Sequence, residues 1–169
     1  NYGEPMENIC RAIAELSEAY PDVHFVYPVH LSPYVRETAE KFLGGNDRIH
    51  LIHPLTVDEM HNLMARCYLI MTDSGGLQEE APSLGKPVLV LRRETERPEA
   101  IEAGTVKLAG VEQENIVRLA RELFDDPDAY AAMAHAVNPY GDGKTSARIL
   151  QAIEQYFGLR ADGPEPFAP

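Results

Sequence analysis

Tryptophan is absent from this chain, and cysteine occurs only at Cys10 and Cys67. The two cysteines form no CxxC pair and no metal-ligand spacing, which argues against a disulfide framework and against a zinc site. Each falls in an apolar pattern and is expected as a reduced core thiol, which fits the cytoplasm. Basic residues are also scarce: 15 lysines and arginines stand against 27 acidic residues, a formal charge of −12. A field of that sign disfavours nucleic acid and anionic membrane surfaces as partners. It leaves room for a small phosphorylated ligand, which needs only local backbone amides and one or two cations. No stretch approaches the roughly 20 apolar residues of a membrane span, and the start NYGEPMENIC lacks the charged-then-apolar layout of a signal peptide. His24, His50, His53, His61 and His135 make no HxH or HExxH arrangement, so no metal is expected. Nothing in the spacing supports a Ser-His-Asp triad either.

With 169 residues, 44% of them hydrophobic, the chain can bury one substantial core and is read as one domain. A helix signal begins within five residues, without an initiator Met, so the chain reads as cut from something longer. Ile9, Ile13, Leu16 and Tyr20 recur at helical spacing and predict an amphipathic helix from Pro5 to Tyr20. A short strand is predicted at 23–27, a helix from the Ser32-Pro33 start to Leu43, a strand at 49–52 and a helix at 56–65. Nearly continuous apolar runs at 68–71 and 88–91 predict strands buried on both faces, with a short helix at 77–84 closed by Gly85 between them. A last strand at 105–109 and helices near 112–124, 128–135 and 145–157 complete the series. Strands alternating with helices imply an α/β fold, a Rossmann-like parallel sheet with helices on both faces. Ligands of such sheets sit beyond the carboxyl ends of the strands, so function is sought in the loops after Tyr27, Ile52, Met71 and Leu91.

Asp73-Ser74-Gly75-Gly76 lies between a strand and a helix start, where free amides and the helix dipole favour a phosphate. Adjacent glycines allow a pyrophosphate close to the backbone, and Ser74 offers a hydroxyl; the competing reading is a tight strand-to-helix turn. Gln78, Glu79 and Glu80 follow in the first turn, where the dipole alone accounts for acidic residues. A carboxylate one turn past a phosphate loop also suits ribose hydroxyls, and Glu80 is the candidate. In the run from Arg92 to Glu99, charges read equally as solvated surface or, at Arg97 before Pro98, as a bidentate phosphate contact. His30 ends the first strand at the same edge, within reach of a sugar or phosphate.

The run from Asp73 to Gly85, joined to Thr95-Glu96-Arg97-Pro98-Glu99, closely resembles the non-hydrolysing bacterial UDP-N-acetylglucosamine 2-epimerases. The match extends through Asn1–Pro5, Tyr27–Pro33, Pro54-Leu55 and Asn138–Gly143, and covers the family's C-terminal half. The resemblance implies a GT-B-type enzyme of two Rossmann-like domains with the UDP-sugar between them. Such enzymes interconvert UDP-GlcNAc and UDP-ManNAc without a cofactor: a proton leaves C2, UDP is eliminated to give 2-acetamidoglucal, and UDP re-adds. Residues 1–158 would be the UDP-binding domain and 159–169 a disordered tail. The resemblance puts Ser74, Gly75 and Gly76 on the diphosphate, Glu80 on the ribose and Arg97 near the phosphates. Met60 stands where the family often has an aromatic residue near the uracil, and His30 where some members contact a second, regulatory UDP-GlcNAc. The family's acid/base carboxylates lie in the N-terminal domain, so no catalytic group is expected here. A homodimeric, cytoplasmic enzyme of cell-wall polysaccharide biosynthesis is implied for the whole protein. The alternatives are half of a GT-B glycosyltransferase and a non-catalytic UDP-sugar-binding domain.

Overall fold

A computed structural model describes residues 1–167. The order is α1 (Glu4–Ala19), β1 (Phe25–Pro28), α2 (Pro33–Leu43), β2 (Ile49–Ile52), α3 (Val57–Arg66), β3 (Ile70–Thr72) and α4 (Gly75–Glu80). A 3-10 turn (Ala81–Leu84) follows, then β4 (Val88–Val90), α5 (Pro98–Glu102), β5 (Val106–Leu108), α6 (Gln113–Asp125), α7 (Pro127–Ala134) and α8 (Thr145–Tyr156). Every strand pair is parallel, as βαβ alternation requires.

Strand β4 shows how the layers are built. It lies between β3 and β5, and helices cover both faces, so its residues alternate between two cores. Val88 and Val90 join Met64 of α3, Ala81 and Ala100 on one face. Leu89 and Leu91 join Ala12 and Leu16 of α1 and Ile116, Leu119 and Leu123 of α6 on the other. A fully buried leucine such as Leu16, Leu89 or Leu123 contributes roughly 2 kcal/mol of transfer free energy. Helix α1 serves two cores, because Met6 and Cys10 turn instead toward Ala39, Leu43 and Ile49. Burial pushes the Cys10 thiol up to about 11, so it is a neutral core group; Cys67 is half-buried.

Several boundaries differ from the periodicity. The first strand begins at Phe25, because Val23 N–H closes a turn onto Tyr20 O. The third begins at Ile70. Tyr68 is 47% exposed, stacks on Tyr130 at 4.1 Å between ring centroids, and accepts the Tyr130 hydroxyl on its carbonyl. The helix expected at 77–84 starts two residues earlier and tightens to 3-10 after Glu80, where Pro82 has no N–H for an i−4 bond. Gly85 caps it at φ 65°, in the left-handed region glycine favours. The five-residue α5 was not anticipated; Pro98 opens it. Of the expected tail, 159–167 has no helix or strand and turns back on α8, where Arg148 Nε donates to Glu165 O at 3.0 Å. Residues 168–169 lie outside the described residues.

The parallel pairing falls into two ladders, β1–β2 and β3–β4–β5, and no strand pairing joins β1 to β3. Phe25 and Val29 N–H point to β2, and Ile70 N–H points to β4. By alternation the amides of Val26 and Met71 point away from their ladders. Native-state hydrogen exchange should therefore find Val26 and Met71 at least tenfold faster than Tyr27 and Thr72. Equal protection of all four would mean that the ladders are joined.

Candidate nucleotide site

Because β3, β4 and β5 run parallel, their carboxyl ends share one edge, and the loops after β3 and β4 emerge there side by side. The edge is fastened at Asn1, whose Nδ2 donates to Leu91 O at 2.7 Å and to Asp73 Oδ2 at 3.1 Å. Asp73 is thus engaged with Asn1. Ser74 is the N-cap of α4, with extended backbone and no side-chain cap bond. Its N–H donates to Thr72 Oγ1 at 3.0 Å, leaving its hydroxyl without a partner among the described residues. Gly75 and Gly76 form the first turn, where backbone amides have no helical acceptor.

Neither glycine is required by the fold itself. Both lie outside the positive-φ region, so the backbone would accept another residue. A Cβ at Gly75 would find Arg97 Nη2 at 3.8 Å, and one at Gly76 would find Glu80 Oε1 at 3.5 Å and Ser74 Oγ at 3.9 Å. These are ordinary contacts. Glycine is a poor helix former, and here no positive φ or close contact calls for it. A tight turn alone does not require the pair, which leaves open space beside the first-turn amides.

The same distances bring Ser74, Gly75, Gly76, Glu80 and Arg97 together. Arg97 caps α5, and its guanidinium is oriented by Glu79: Nε donates to Glu79 Oε1 in a very short ion pair, and Nη1 donates to Glu96 O at 3.1 Å. The Glu79 hydrogen bond raises the Arg97 pKa further, so the cation persists at any working pH. Nη2 is left facing Gly75. The other arginines of the run behave as surface groups. Arg92 pairs with Glu96 at 3.5 Å and Arg93 with Glu112 at 3.3 Å, exposed contacts worth little.

Glu80 presents Oε2 to His61 Nε2 at 2.9 Å and Oε1 toward Gly76. His61 and the half-buried Met60 come from α3, and Met60 packs against the core that holds Val88 and Val90. His30 has a different setting. Exposed at the end of β1, it accepts Ser32 N–H on Nδ1 at 3.1 Å. Its neighbours Val29 and Leu31 line a groove of about 610 Å³ with Arg36, Lys41 and His53. None of the residues around Gly75 lines this groove. Its Glu37 and Glu40 balance Arg36 and Lys41, so volume does not make it the better anion site. Among the described residues, no group of three or more His, Cys, Asp or Glu side chains is arranged to hold a metal. No helix there is long and apolar enough to cross a membrane.

Glu79, His61, Gln78 and Thr95 are components that reading the sequence missed. Glu79 looked sufficiently explained by the helix dipole, and its partner lies 18 residues away. No local pattern announces such a pairing.

Comparison with known proteins places the chain in a family. The family model described as UDP-N-acetylglucosamine 2-epimerase matches residues 1–154. The UDP-N-acetylglucosamine 2-epimerase of Bacillus subtilis is 56% identical over 167 residues, 99% of this chain and 44% of that protein. The Escherichia coli K12 protein of the same name is 49% identical, covering 91% of this chain and 41% of its own length. Among solved structures, an S. aureus MnaA–UDP co-structure superposes with a TM-score of 0.95 at 52% identity, over 99% of this chain and 46% of that one. The UDP-GlcNAc 2-epimerase of Neisseria meningitidis bound to UDP-GlcNAc gives 0.87 at 47% identity, over 92% and 42%. This chain thus spans less than half the length of these relatives, and by sequence and fold alike it belongs to the UDP-N-acetylglucosamine 2-epimerase family.

Proposed function

We propose that this chain is the UDP-holding, C-terminal part of a non-hydrolysing UDP-GlcNAc 2-epimerase, an isomerase that interconverts UDP-GlcNAc and UDP-ManNAc. The observation that carries the reading is the glycine pair, which no internal contact or dihedral requires, set beneath a guanidinium fixed by Glu79. Elimination and re-addition need UDP to stay bound while it is detached from the sugar. Free amides at Gly75 and Gly76, the Ser74 hydroxyl and Arg97 Nη2 would grip the diphosphate, each a donor to an anion. Glu80 would accept ribose hydroxyls, and Met60 would lie toward the uracil. Residues 1–158 form this domain in our reading, and the proton-transfer groups belong to the rest of the protein.

The same reading makes His30 a contact for a second, regulatory UDP-GlcNAc; its exposure beside the groove of Val29, Leu31 and Arg36 supports this. A homodimeric, cytoplasmic enzyme serving cell-wall polysaccharide synthesis rests on the family resemblance.

Calorimetric titration with UDP is the direct test. The folded chain should bind, and Ser74→Ala with Glu80→Ala should weaken binding roughly 30-fold or more, since both remove hydrogen bonds to a charged or highly polar ligand. Glu79→Ala, which frees Arg97 without touching UDP, should cost roughly fivefold. Identical affinities in all variants, or no binding by folded protein, would contradict the assignment.

A further inference from the structure

Gln78 is a polar side chain with 0% exposure, on the buried side of α4. Burial of an amide is tolerated only when its groups are paired, and each of its ends meets a different loop. Nε2 donates to Ser74 O at 3.3 Å, in the loop after β3. Oε1 accepts the Thr95 hydroxyl at 2.8 Å, in the loop after β4. Thr95 Oγ1 in turn accepts Arg97 N–H at 3.1 Å. The hydroxyl thereby donates one way and accepts the other, which sets the orientation of the amide as well. The chain of bonds runs Ser74, Gln78, Thr95, Arg97, beneath the space the diphosphate would occupy.

We infer that Gln78, with Thr95, is a positioning residue that holds the Arg97 loop at a set distance from the Ser74-Gly75-Gly76 loop. Adjacent parallel strands place the loops side by side without defining their separation beyond the last ladder bond. Glu79 sets how the guanidinium is turned, whereas Gln78 sets where the backbone carrying it lies. An apolar residue of similar volume would fill the same space, so the amide is explained by its bonds and not by packing. The relevance to ligand rests on the UDP reading above; the structural coupling does not.

Thr95→Val keeps the shape and removes the hydroxyl, Thr95→Ser restores it, and Gln78→Met keeps volume without bonds. The first readout needs no ligand: the NMR order parameter of the Arg97 backbone N–H, the group that Thr95 holds. It should fall in Thr95→Val and Gln78→Met and recover in Thr95→Ser. The second is UDP affinity, expected to drop about tenfold in Thr95→Val and to return within twofold in Thr95→Ser. In an Arg97→Ala background, Thr95→Val should have no further effect on affinity, which general destabilisation would not produce. An unchanged Arg97 order parameter in folded Thr95→Val overturns the inference whatever UDP does. If the order parameters change as stated but the parent chain does not bind UDP, the positioning role stands and the ligand assignment falls.

Discussion

Parallel strands force each connection back across a face of the sheet, so every strand-to-helix turn emerges at the same edge. This constraint organises the molecule. It brings residues distant in sequence, Asn1, Ser74 to Glu80 and Thr95 to Arg97, to neighbouring strand ends. It also requires helices on both faces, and β4 satisfies the requirement by sending valines to one core and leucines to the other. The site is therefore a consequence of topology before it is one of side-chain chemistry.

At that edge the energetics favour a ligand over self-sufficiency. Gly75 and Gly76 take no positive φ, the Ser74 hydroxyl has no partner among the described residues, and the first-turn amides have no helical acceptor. Around them the structure is well satisfied: Glu79 restrains the guanidinium, a buried amide ties the loops, and His61 meets Glu80. Donors oriented by a satisfied surround are what a preorganised anion site requires, since little ordering is then left for binding to offset.

Much of this was legible in the residues. The α/β class followed from apolar runs such as Val88–Leu91 separated by amphipathic helices, and the edge followed from the class. Ser74, Gly75, Gly76 and Glu80 can be singled out from the sequence because the pattern is local, a strand, a loop and a helix start in one stretch. Arg97 stood out only through its proline, and the division of labour between it and Arg92 or Arg93 needed coordinates. Gln78, Glu79 and His61 were illegible because their roles are defined by partners 17 to 19 residues away. The late start of β3 had a similar cause: Tyr68 leaves the strand for an aromatic stack with Tyr130, a tertiary contact that overrides β propensity. The break between ladders was equally invisible, since each strand pattern is satisfied within its own pair.

On the proposed reading, the open amides at the start of α4 receive the diphosphate of UDP. The most direct measurement is a map of backbone amide chemical shifts as UDP is added to the labelled chain. The largest changes are expected at Gly75, Gly76 and Leu77, with Arg97 alongside. Changes confined to Val29, Leu31 and His53, with Gly75 and Gly76 unmoved, would contradict it.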